Sequence, residues 1–214
     1  MGRCRVHSSA EQIADACVHG IGLLAGLAGA IVLLGLSHDN PQRLAATAVY
    51  AGGLLAMLAA SAAYNLGYHT RFRTLFRRFD HSAIFLMIGG TYTPFTTGYF
   101  GGATAVLVTG LIWSLSLGGI AMKLARPLLF ERFSVALYLA LGWIALLVIG
   151  PLLLAMSGLT AAAIVAGGVL YTGGITFHLW ENLPFQNAIW HVFVLGAAGC
   201  HYLAVLNGVV LATV

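Results

Sequence analysis

Glu11, Asp15 and His19 follow one another at intervals of four residues. On a helix that spacing lines them along one face. Ser61 and Asn65 repeat the interval, as do Asn187 and His191. Asp80 with His81, and His178 with Glu181, are further polar groups set beside long apolar runs. Carboxylates and imidazoles brought together can share a metal ion, move a proton or hydrogen-bond one another. Each group also has a plainer role. Glu11 and Asp15 can be solvated acids near a helix start, where the dipole favours them. Asn65 can bridge two helices, His178 can sit at a headgroup boundary, and His201 can be a satisfied core residue. Asp80 and His191 fit such roles least well, and are expected to pair or to share an ion.

The elements that must carry these residues are apolar. The chain has 214 residues, 60% of them hydrophobic and 7% charged. Soluble domains carry about 25% charged residues, so lipid must cover most of this surface. A span needs about 20 helical residues to cross roughly 30 Å of hydrocarbon. Seven stretches qualify: Ala16–Leu36, Leu44–Leu66, Phe79–Gly98, Ala103–Met122, Phe133–Leu154, Thr160–His178 and Ala188–Leu211. The separators include His38–Pro41, the basic run Arg71–Arg78, Gly101-Gly102, the Lys123–Glu131 loop and Glu181–Gln186. Lipid offers no partner to a bare backbone, so such stretches are helices. The expected fold is therefore all-α, an integral membrane bundle of seven helices. It forms one domain over 1–214, with residues 1–15 as a short cytoplasmic N-terminal segment. Acidic and histidine residues lie between Arg5 and the first apolar run, which reads as a retained span rather than a cleaved leader.

Loop charge sets the orientation. Arg3, Arg5, Arg71, Arg73, Arg77, Arg78, Lys123, Arg126 and Arg132 fall on one side, and Arg43 on the other. The positive-inside rule then places the N-terminus in the cytoplasm and the C-terminus outside. The formal charge of +4 reflects that asymmetry and not affinity for nucleic acid. In this topology Glu11, Asp15, His19, Ser61, Asn65, Asp80, His178, Asn187 and His191 gather at the cytoplasmic level, where ionisable groups must pair or face a cavity. His201 lies about 15 Å deeper along its helix. Cys4, Cys17 and Cys200 are unclustered and make neither a disulfide framework nor a zinc finger. The single lysine, Lys123, lies outside span seven, so a retinal Schiff base there is excluded.

Several runs are specific: Ala14–Gly22, Ser61-Ala62-Ala63-Tyr64, Phe79–Phe85, Gly90-Thr91-Tyr92-Thr93-Pro94-Phe95, Tyr138–Trp143 and Ala188-Ile189-Trp190-His191-Val192-Phe193-Val194-Leu195. On these the chain resembles the hemolysin III family, which belongs with the adiponectin- and progestin-receptor membrane proteins. The resemblance covers nearly the whole chain. It implies seven helices around a cytoplasmic-side pocket holding zinc, bound by three histidines. One of these lies four residues after the span-two serine, and two form an H-x-x-x-H pair opening span seven. An aspartate of span three stands beside them, and a metal-bound water is held to hydrolyse lipid amides. In this chain Asn65 and Asn187 occupy two of the three histidine positions, while His191, Ser61 and Asp80 remain. Zinc prefers imidazole, thiolate or carboxylate, so the replacements should cost most of its affinity. His178, where the family usually has tyrosine, could supply a nitrogen instead.

Two functions from different classes follow. One is a zinc-dependent, ceramidase-like hydrolase of lipid amides or esters, with Asp80 and Ser61 catalytic and His191, Asp80 and His178 on the metal. The other is a non-enzymatic lipid-binding or scaffold protein. There, Asn65, Asn187, His19, Asp15, Glu11 and His201 line a polar pocket without tight zinc. A pore is a third reading, although no continuous polar stripe runs through any span. The expected partners are membrane lipids, and the expected location is a bacterial inner membrane.

Overall fold

The computed structural model describes residues 8–125, 131–153 and 156–212. Arg3, Cys4, Arg5 and Arg126 lie outside them. Seven α-helices follow in order: α1 (Ser9–Ser37), α2 (Pro41–Leu66), α3 (Arg73–Tyr99), α4 (Gly102–Ala125), α5 (Glu131–Leu153), α6 (Gly158–Leu179) and α7 (Gln186–Val205). A short π-helical turn, Leu206–Val210, continues α7.

Helix ends obey local chemistry. Ser8 and Glu11 form a reciprocal capping box, which starts α1 at Ser9, well before its apolar stretch. Asn40 caps α2 and Pro41 opens it. In the same turn Asp39 pairs with Arg43, whose guanidinium holds the carboxyl below its ordinary range. The basic run read as a separator is instead largely helical: Arg73, Arg77 and Arg78 lie in the first turns of α3. Arginine is a good helix former, and residues 71–72 alone remain in the turn.

Among the described residues, α1, α2, α4, α6 and α7 with its π turn are long and apolar enough to cross a membrane. The C-terminal half of α3 is rich in Thr, Tyr and Gly, which lowers its hydropathy. The outer surface carries Leu24, Val106 and Leu107, each more than 70% exposed. An exterior of this kind suits lipid and not water, so the chain is a membrane protein.

Helix α3 is the centre of the bundle. It packs most extensively on α2 and then on α4, while α1 bridges α2 and α7. Gly53 and Gly90 let α2 and α3 touch backbone to backbone: a Cβ at Gly53 would sit 3.2 Å from the Leu86 carbonyl, and one at Gly90 3.2 Å from that of Val49. Polar side chains on α3 tie it to the rest. Tyr92 donates to the Leu141 carbonyl at 2.7 Å, and Trp113 donates to Thr93 Oγ1 at 3.0 Å. Thr96 and Thr109 hydroxyls meet at 2.6 Å. Among the described residues, helix α5 packs against α3 and α6.

Candidate functional site: a polar cluster at the head of a deep cavity

The buried face of α1 reads Glu11, Asp15, His19, Gly22, Gly26, Ala30, Leu33 and Ser37. Steps of three and four keep these residues on one stripe. The small residues of the stripe bring α1 close to α2 and α7. A Cβ at Gly22 would touch Leu58 and Leu195 at 3.4 Å. That close approach carries Asp15 and His19 into the groove between the two helices.

There, His191 Nδ1 lies 2.6 Å from Asp15 Oδ1. A carboxylate only accepts, so the imidazole donates from Nδ1. His191 Nε2 then keeps a lone pair and accepts from the Asn65 amide at 3.5 Å. The same Asn65 amide nitrogen donates to the Ser61 carbonyl at 3.0 Å and lies 3.4 Å from its hydroxyl. The second Asp15 oxygen is 3.6 Å from His19 Nε2, and the His19 and His191 rings stack obliquely at 4.4 Å. Asp80 faces the Ser61 hydroxyl and lies within electrostatic reach of His191 and His19.

The direct hydrogen-bond partner of His191 is therefore Asp15; Asp80, expected to pair with His191 or to share an ion with it, stands within electrostatic reach of the ring. Glu11 has a different task. It accepts from the Ser8 amide at 2.7 Å and from the Phe185 amide, also at 2.7 Å, so it clamps the start of α1 to the start of α7. Phe185 has a left-handed backbone, φ 58°, at that point. His178 stacks on Trp190 with centroids 5.0 Å apart, and its carbonyl accepts from Gln186. His201 is packed away from the cluster, between α6 and α7. Its ring lies against Gly167, where a Cβ would fall 2.4 Å from it, and Nε2 is 3.4 Å from the Ile164 carbonyl.

Glu11, Asp15, His19, Ser61, Asn65, Asp80, His178, Asn187, His191 and His201 all line one cavity of about 1410 Å³. Its lining also includes Arg73, Arg77 and His81, which the sequence reading had left in a loop or a lesser role. The remainder is mostly apolar, with Met57, Leu58, Ile84, Ile88, Phe95 and Leu195 among its walls, interrupted by Thr91, Tyr92, Tyr171, Thr172 and His201. It exceeds the roughly 300–1,000 Å³ usual for small-molecule sites. Sequence also did not foresee the 2.6 Å hydrogen bond from Tyr68 to Gln12, which ties the α2–α3 turn to α1.

The three-histidine zinc set does not fit this site. Asn65 turns its amide nitrogen, a donor, towards His191, and a donor cannot ligate a cation. The ligand atoms of Asp15, His19 and His191, however, all lie within 4.8 Å of one another. Asp15 and His19 had been read only as pocket lining.

Comparison with known proteins gives a consistent picture. The family model described as haemolysin-III related matches residues 8–202. Hemolysin-3 of Bacillus cereus is 36% identical over 198 residues, covering 92% of this chain and 90% of the relative. The hemolysin-3 homolog of Bacillus subtilis (strain 168) is 32% identical, covering 92% and 93%. The human monocyte to macrophage differentiation factor is 27% identical over 201 residues, covering 91% and 83%.

Proposed function

Since this chain belongs to the haemolysin-III-related family of membrane proteins, we propose that it is a seven-span inner-membrane protein whose cytoplasmic-side cavity holds a lipid. The observation that carries this reading is the cavity's division into a polar head and an apolar body. A long-chain amphiphile satisfies both at once: its chain lies on Met57, Ile88, Phe95 and Leu195, and its head meets the groups around Asp15, Asp80 and His191. Loop charge supports the orientation, with the N-terminus and the polar head on the cytoplasmic side and the C-terminus outside. Bacterial relatives support the inner membrane.

Photocrosslinking tests the reading. A diazirine-bearing fatty-acyl probe in membranes is expected to label α3, α6 and α7 at cavity-lining positions. Gly168 lines the cavity, and a Cβ there would have 3.9 Å to its nearest neighbour, Trp143. Gly168→Phe should fill the space and reduce labelling at least about tenfold, a loss of roughly 1.4 kcal/mol of binding. Labelling confined to the outer surface, or unchanged in the variant, would refute a cavity ligand.

Hydrolysis of a lipid amide or ester is a second reading, favoured by Asp80 facing Ser61 at the polar end. Asp80 would take the proton of an attacking water, and the Ser61 hydroxyl would orient the carboxylate. Asp80→Asn should then lower ceramide turnover by about 10²-fold or more. A wild-type protein without turnover leaves binding as the function.

A further inference from the structure

We propose that Asp15 and His19 of α1, with His191 of α7, form a site for a divalent first-row metal. It keeps His191 of the set that the resemblance implies and replaces the other two ligands, at the Asn65 and Asn187 positions, with Asp15 and His19 of α1. The proposal is independent of whether the cavity holds a lipid.

Three observations meet here. The three side chains are 9%, 5% and 10% exposed, so ordinary solvation is largely denied them. His19 Nε2 takes no hydrogen bond among the described residues, despite its burial. A buried ring nitrogen left without a partner is costly, and this one points towards the Asp15 carboxylate. The geometry also suits an ion. Ligand bonds to zinc are about 2.0–2.2 Å, which puts two ligand atoms of a tetrahedral ion about 3.3 Å apart. Asp15 Oδ2 and His19 Nε2 are 3.6 Å apart, close to that separation. Asp15 Oδ1 and His191 Nδ1, at 2.6 Å, share a proton instead. To become co-ligands they would open by about 0.7 Å and release that proton to solvent.

Donor chemistry narrows the ion. Two imidazoles and one carboxylate suit zinc and its first-row neighbours, whereas magnesium and calcium want oxygen. Asp80, within electrostatic reach of both imidazoles, is a further acidic group beside the site. Helix spacing supplies the first two ligands at positions i and i+4, and the clamp of Glu11 on Phe185 holds α7 where the third must stand.

The test uses the full chain, purified in detergent and stripped with a chelator. Calorimetry with zinc chloride is expected to show one site tighter than about 1 μM. His19→Ala should weaken it at least about tenfold, whereas His38→Ala, at an exposed position outside the cavity, should leave it unchanged. His19→Cys restores a zinc ligand and should recover binding, which a purely structural role for His19 would not do. In that variant cobalt should add a thiolate charge-transfer band, a direct mark of coordination at position 19. Folded wild-type protein that binds neither ion overturns the proposal. Unchanged affinity in His19→Ala overturns it too, as does a His19→Cys protein with bound cobalt but no thiolate band. If His19→Ala does not fold, the cobalt spectrum of His19→Cys decides alone.

Discussion

Among the described residues, the acceptor for His191 Nδ1 is Asp15, and both partners are buried. Replacing it with alanine strands the imidazole N–H, which costs about 1–3 kcal/mol. Asparagine keeps an acceptor, so Asp15→Asn should recover much of that loss. Thermal unfolding of the detergent-solubilised variants measures both, and equal losses would show that the hydrogen bond is not what matters. Glu11 closes its capping box and also accepts from the Phe185 amide. Glu11→Ala should cost about 1–2 kcal/mol, the range of a lost cap. It should also raise hydrogen exchange at residues 183–186, because their anchor is gone.

Among the elements, the glycines separate tight contacts from open ones. A Cβ at Gly119 would lie 2.4–2.6 Å from the Phe85 ring, which is fully buried and rests on Tyr138. Gly119→Ala therefore has to displace a packed aromatic, at about 1–3 kcal/mol. Gly35, on the outside of α1, has nothing within 4 Å. Gly35→Ala should stabilise the helix by up to about 1 kcal/mol, through propensity alone. Opposite shifts in melting temperature are expected from the same chemical change. A shared sign would mean that helix contacts, as described, do not set the cost. Helix α5 joins the bundle through aromatic and polar contacts: Tyr138 donates to the His81 carbonyl at 2.8 Å and packs on Phe85, and Trp143 donates to Thr172 Oγ1 at 3.1 Å.

For the whole molecule, the topology is the claim most open to a direct check. Seven crossings with a cytoplasmic N-terminus put the C-terminus outside. Alkaline phosphatase fused after Val214 should be active, and green fluorescent protein at the same place should be dark. The reverse pattern would mean either an even number of crossings or the opposite orientation, which a reporter fused at the N-terminus distinguishes. The position of the polar head matters for the same reason. With this orientation a ligand reaches Asp80 and His191 from the cytoplasmic leaflet.

Hydrophobicity by itself determined the helices, because a backbone in lipid has to bond within its own segment. The family was equally legible, since its motifs are local runs such as Gly90–Phe95. The four-residue spacing also grouped Asp15 with His19, and Asn187 with His191, on shared faces. What spacing cannot supply is the rotation of one helix against another. Asp15 and His191 are 176 residues apart, and their contact depends on how closely Gly22 and Gly26 let α1 approach α2 and α7. Tertiary packing therefore chose Asp15 over Asp80 as the partner of His191, turned the amide nitrogen of Asn65 towards that ring, and set His201 apart against Gly167. It also opened the cavity. Such choices rest on side-chain volumes meeting across helices, and no single segment contains that information.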